Sequence, residues 1–383
     1  MPVDLISGVP EVHQEQVNIE METETEENLI EAEKEALILR EKQYFKDQRI
    51  IELAKASFPN TTSQHYTKGS LFSPDGLCIL TTVNSNGMLV FETPSDLYGK
   101  EEIVDDREIN LLNPVIHVKA VGNIYDFCWF PLMNSSIPDT CYWLATAQNE
   151  PIKMYDAFNG KYKCSYRSYD YADELEAALS VCYSGNGEKI FGGYKKNINI
   201  FDTSVAGRCY QTIKLNQPTS CIATNYYDEH MIACGSWNKS IQIYDIRESQ
   251  PIEQLTGHKG GVTYLKFSMN GDYLISGARK DSNFLFWDMR DLSLPLYRFQ
   301  RQVATNQKIY FDISAGNTWV ASGDTRGLVH IWNTTDLNDD GFPKEIQVNE
   351  LNFHYLKIAN IFSFSFLCIR IAAQVSVYIL IFQ

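Results

Sequence analysis

The sequence predicts an all-β protein, a propeller of four-stranded blades on a seven-bladed plan, with six blades legible and the last altered or incomplete. The first observation behind this is repetition. Residues 71–93, LFSPDGLCILTTVNSNGMLVFET, read as strand, tight turn, strand, polar loop and strand, and the order recurs at 125–157, 179–203, 220–246, 255–290 and 309–334. The second is period. Aromatic residues close the repeats at 155, 201, 244, 287 and 332, separated by 46, 43, 43 and 45 residues. Such a period, with three short alternating strands per unit, is what a four-stranded blade requires. The third is a Gly257-His258 pair about thirty residues before Trp287-Asp288.

That pairing marks a WD-repeat blade, and each element of residues 255–290 has a reason. Val262, Tyr264, Leu265 and Phe267 line the first strand, Asn270-Gly271-Asp272 turns the chain, and residues 273–277 form the second strand. A polar loop leads to the third, which ends at Trp287. His258 and Asp281 fall on loops of one face and are positioned to bond, while Trp287 buries its ring and its N–H needs a partner. His258, Asp281 and Trp287 are thus structural propeller residues rather than catalytic ones. In the other repeats the Trp-Asp place holds Tyr155-Asp156, Phe201-Asp202, Tyr244-Asp245 and Trp332-Asn333.

Three regions follow: 1–57, acidic and either disordered or loosely helical; 58–345, the propeller; and 346–383, an atypical hydrophobic segment replacing the closing blade. Residues 1–60 hold fourteen acids and six bases, so they carry −8 of the net charge of −15. The N-terminus has neither a basic start nor a long apolar run, so no signal peptide is read there. After residue 351 the only charges are Lys357 and Arg370, and turn and Trp-Asp signals stop. Residues 358–382 are long enough for a membrane span, but Arg370 and Gln374 near its centre disfavour one. With no closing blade the ring would stay incompletely closed and expose an edge, and residues 57–66 are the expected source of an outer strand for it.

Nine scattered cysteines without a Cys-x-x-Cys pair suit a reducing compartment. The seven histidines show no metal-ligand spacing, and phosphate loop and nucleophile elbow are both missing, so the sequence reads as neither enzyme nor metal site, with no cofactor. The informative pattern lies in the loops on the His258 face. They present Tyr194, Lys195 and Lys196 in the third repeat, Trp237 and Lys239 in the fourth, Arg279 and Lys280 in the fifth, and Lys308, Tyr310 and Arg326 in the sixth. The first two repeats place Asn84, Asn86, Gln148, Asn149 and Glu150 there instead. A one-sided basic rim with aromatic residues suits single-stranded RNA, through phosphate attraction and base stacking. An acidic peptide would suit the same rim, which keeps a protein-only interaction platform as the alternative.

The phrases IYDFCWF, Glu150-Pro151-Ile152, YDAFNG, SGARKD and TNQKIYFD resemble the telomerase Cajal body protein 1 family, from about Phe58 to Lys344. The resemblance implies a nuclear, non-enzymatic scaffold, concentrated in Cajal bodies with some in the cytoplasm. It further implies recognition of small Cajal body RNAs of the box H/ACA class and, where the organism's telomerase uses such a protein, of telomerase RNA. Partners implied are box H/ACA particle proteins such as dyskerin, coilin and the survival-of-motor-neuron complex, with no DNA. Arg279, Lys280, Lys308 and Tyr310 lie within these phrases, and His258 within the similar stretch GHKGGVTYLKFSMNGDYLISGARKD.

Overall fold

The chain alternates short strands and tight turns so regularly that it builds seven antiparallel sheets. In a computed structural model the described residues are 50–57, 67–348 apart from 85, 96–109, 121, 249, 315 and 327, and three strands after 355. Five of the first six sheets are four strands in chain order, from the central axis outward; the second blade adds the short strands Leu175–Glu176 and Gly207–Arg208 beyond its fourth strand, Tyr162–Tyr169. The fifth blade runs Val262–Phe267, Tyr273–Ala278, Asn283–Asp288 and Tyr297–Gln300. Its middle strands are the most buried, and their alternation packs one face of residues on each neighbouring blade.

Blades adhere through aromatic layers. Phe284 of the fifth blade stacks on Phe311 of the sixth at 5.4 Å between centroids, and Trp332 packs against Phe284 and Phe299 at 5.1 Å from each. Between the first two blades Trp129 donates its indole N–H to the Leu71 carbonyl at 3.1 Å. Tyr166 carries the join to the third blade by donating to the Thr203 carbonyl at 2.6 Å. Each bond satisfies a polar group that blade packing would otherwise strand.

The seventh sheet draws on both parts of the chain. Leu356–Ile361, Phe366–Ile371 and Ser376–Phe382 pair antiparallel, and Ile50–Ser57 adds outside the last of them, from Ile50 opposite Phe382 to Ser57 opposite Ser376. Asn110–Leu111 extends the edge in parallel. The first of these strands packs beside the inner strands of both the first and the sixth blades. A sheet thus stands at the place where the sequence expectation left an open edge. The expected helix is corrected over 50–57, where Ala54 and Ala56 alternate into the interior at 0% exposure, a period-two pattern of a strand. The latch therefore ends where the expected one, 57–66, begins; residues 58–66 and 1–49 lie outside the described residues. The divisions at 57 and 346 are changes of sequence character that one sheet crosses. No helix among the described residues is long and apolar enough to cross a membrane.

The central channel is closed by charge. Lys308, on the loop leading into the sixth blade, reaches across to Asp126 on the inner strand of the second, with Nζ 3.0 Å from Oδ1. Its ammonium lies 4.9 and 5.0 Å from the rings of Tyr264 and Tyr310. Burial opposes its charge, but Asp126 and Tyr310 outweigh that and raise its pKa above the usual lysine value. Below it, Lys266 pairs with the fully buried Asp312.

Candidate nucleic-acid interface

In every blade the loop between second and third strands and the loop leading into the first strand share one face, because antiparallel order returns both to the same side. In the fifth blade this face is built on a bonded chain. His258 Nδ1 lies 3.0 Å from Asp281 Oδ2, His258 Nε2 lies 2.8 Å from Ser276 Oγ, and Trp287 donates to that hydroxyl at 2.9 Å. Asp281 also accepts from the Lys259 amide at 2.9 Å and the Asn283 amide at 3.1 Å. Burial works to raise the Asp281 pKa, but His258 and these amides hold it below the usual value. The two loops are thereby fixed to each other, and the side chains on them are aimed outward.

The rim is continuous across blades. Thr219 donates its amide to the Tyr194 carbonyl at 3.1 Å, Gln217 its side chain to Ser240 at 2.9 Å, and Lys280 its amide to the Thr305 carbonyl at 3.1 Å. On this frame Lys195, Lys196, Lys239, Lys280 and Arg326 are exposed. Trp237 is 43% exposed, with the half-buried Arg279 guanidinium 5.9 Å from its ring centre. Lys239 and Lys280 hold left-handed backbone, at φ 71° and 49°, where the second blade has Asn149 at φ 60°. Asparagine tolerates that conformation, whereas a lysine there costs roughly 1 kcal/mol or more. Both cations are kept at strained turn tips that point away from the blade.

Three expected contacts are corrected. Tyr194 is fully buried, because Gly192 has no Cβ and the ring folds back beside it against Ile152; a Cβ there would sit 2.9 Å from each. Tyr310 is 4% exposed and packs edge-on to Tyr264 at 4.8 Å in the channel. Lys308 belongs to the ion pair with Asp126. Arg326 stays on the rim, but its Nε lies 2.8 Å from Asp324, which reduces the charge it offers. Conversely Lys259, next to His258, is exposed on the same face and escaped the sequence reading, although its position in that loop was the signal.

Comparison with known proteins completes the picture. A family model described as WD domain, G-beta repeat matches residues 249–288. The telomerase Cajal body protein 1 homolog of Drosophila melanogaster is 45% identical over 314 residues, 80% of this chain and 57% of that one. Telomerase Cajal body protein 1 of Homo sapiens is 37% identical over 294 residues, 75% and 53% of the two chains. This chain belongs to the telomerase Cajal body protein 1 family. It spans about half the length of these curated relatives. A more distant likeness, 23% identical over 76% of this chain and 78% of the other, is to guanine nucleotide-binding protein negative regulator 1 of Schizosaccharomyces pombe.

In this member of the telomerase Cajal body protein 1 family the sixth blade departs from the histidine pattern. Buried Arg301 stands where His258 stands one blade earlier, and donates to Ser322 and the Tyr310 and Gly323 carbonyls. Burial lowers its pKa against the pull of Asp324 and Asp281. Its guanidinium lies 5.0 Å from the Phe284 ring, within the aromatic join of the fifth and sixth blades. His330 completes the cluster, 3.3 Å from Asp324 Oδ2 and 2.6 Å from Glu345 Oε1. Burial acts to lower the His330 pKa, but the two carboxylates outweigh it and raise it. A raised folded value means that its stabilising contribution is complete below the unfolded histidine pKa and fades as pH rises through the folded one. His330→Gln is therefore expected to flatten the pH dependence of thermal stability above the ordinary histidine pKa of about 6.5. A wild-type slope retained in the variant would exclude His330 as its source.

Proposed function

We propose that the chain is a non-enzymatic scaffold whose basic rim binds single-stranded loops of small Cajal body RNAs of the box H/ACA class, with telomerase RNA as a further client, and directs their particles to Cajal bodies. The observation that supports this best is the ring of exposed Lys195, Lys196, Lys239 and Lys280 with the Trp237–Arg279 pair on one face of a chain of net charge −15. Lysines attract phosphates without reading sequence, while an indole and guanidinium side by side give unpaired bases a stacking surface. Family membership supports the RNA class. On this reading the partners are box H/ACA particle proteins such as dyskerin, with coilin and the survival-of-motor-neuron complex, and the compartment is the nucleus with a cytoplasmic fraction.

Binding of single-stranded loop RNA to the full chain tests this. Arg279→Glu with Lys280→Glu is expected to weaken affinity at least about tenfold and to reduce the slope of log affinity against log salt by about 1.4, two single-strand phosphate contacts. Unchanged affinity and slope would remove the rim from RNA binding. If polyglutamate displaces the RNA and binds more tightly, the protein-platform alternative takes its place.

A further inference from the structure

The face opposite the rim holds a groove between the second and third blades, with a volume of about 560 Å³. Its floor is apolar, Phe130, Tyr142 and Met154, and its far wall carries Glu188 and Asp202. The backbone keeps the floor open at Gly187, where φ is +76° and a Cβ would meet the Phe130 ring at 2.3 Å. Thr203, in the same lining, has a buried hydroxyl with no hydrogen-bond partner among the described residues.

The charge state of this wall differs from that of the next two blades. In the fourth and fifth blades the aspartate ending the third strand is clamped by an arginine two residues later. Arg247 Nε lies 2.9 and 3.1 Å from the two Asp245 oxygens, and Arg290 bonds Asp288 at 2.9 and 2.7 Å. In the third blade that position is Ser204, which bonds only Oδ1 of Asp202, so the charge is kept without a cation. Neither Asp202 nor Glu188 forms a salt bridge among the described residues, and both are exposed. One lining ring already receives a cation, since Lys163 Nζ lies 5.2 Å from the centre of Tyr142. Phe158 and Tyr210, 56% exposed each, add apolar surface on the neighbouring connections of the same face.

We propose that this groove docks a basic segment of a protein partner, with an arginine or lysine seated between Glu188 and Asp202 and a neighbouring apolar side chain on Phe130 and Met154. The occupant is assigned by charge: unpaired carboxylates beside an apolar floor select a cationic, partly apolar peptide and repel nucleic acid. The site is independent of the RNA rim, and both can be filled at once.

The test is fluorescence anisotropy of the full chain with a labelled nonapeptide of alternating arginine and leucine, at physiological salt, beside its glutamate–leucine counterpart. Saturable binding of the first alone is expected. Glu188→Gln with Asp202→Asn should weaken it about tenfold or more. Glu188→Lys, at an exposed position bonded to no partner's side chain among the described residues, should do the same without disturbing the fold, while Arg279→Glu with Lys280→Glu should leave it unchanged. Equal affinity in the groove variants, loss in the rim variant, or no saturable binding would each overturn the proposal.

Discussion

Aspartate at Ala54 and Ala56 is expected to abolish the cooperative thermal transition of the whole propeller, although both residues lie well before the first WD-like repeat. The two methyl groups are fully buried, and a carboxylate in either place must be neutralised or dragged into water. Removing residues 1–57 should act in the same direction, because it leaves Ser376–Phe382 without the strand that pairs with it at seven positions. At a net 0.5 to 1 kcal/mol for each of about seven lost bonds this is on the order of 5 kcal/mol, before any packing is counted. Such a loss is a large fraction of the stability of a domain. Scanning calorimetry reads the transition, and a synthetic peptide of residues 50–57 added to the shortened chain should restore part of it. A transition unchanged by the truncation would mean that the ring closes without the latch.

Loss of Asp126 is the second large effect. Asp126→Ala should cost about 3 kcal/mol or more, since it leaves the Lys308 ammonium unpaired in a channel where its side chain is 22% exposed. The same change strips the Val181 amide of its acceptor, 3.1 Å away, and so loosens the join between second and third blades. Asp126→Asn separates the two consequences, keeping the acceptor and losing the charge. Lys308→Met combined with Asp126→Leu should cost clearly less than the two single changes added together, because neither charge is then left buried alone. Chemical denaturation of the four proteins reads the coupling; additive losses would mean that the pair contributes nothing specific.

Much of the molecule was legible in the amino-acid sequence because blades are local. Each blade is made of neighbouring strands joined by short turns, so period-two burial and a forty-odd-residue repeat declare it without long-range information. The tie from His258 to Asp281 was readable for the same reason, both partners lying within one repeat. The exposed lysines of the rim followed from counting loops on one face. Where reading failed, partners came from far along the chain or a neighbour's size decided the outcome. Tyr194 looked like a loop aromatic until the bare backbone of Gly192 gave its ring a place inside. Lys308 looked like a rim cation, but its counter-ion is 182 residues away on another blade.

The sequence by itself determined the blade, its strand order, the face on which cations collect and the family to which the chain belongs. The tertiary structure alone decided how the ring is completed and which of the cations remain free to meet a ligand. The reason is that a closed ring brings residue 50 beside residue 382 and residue 126 beside residue 308. Such contacts depend on all the blades between them, and no local pattern encodes them.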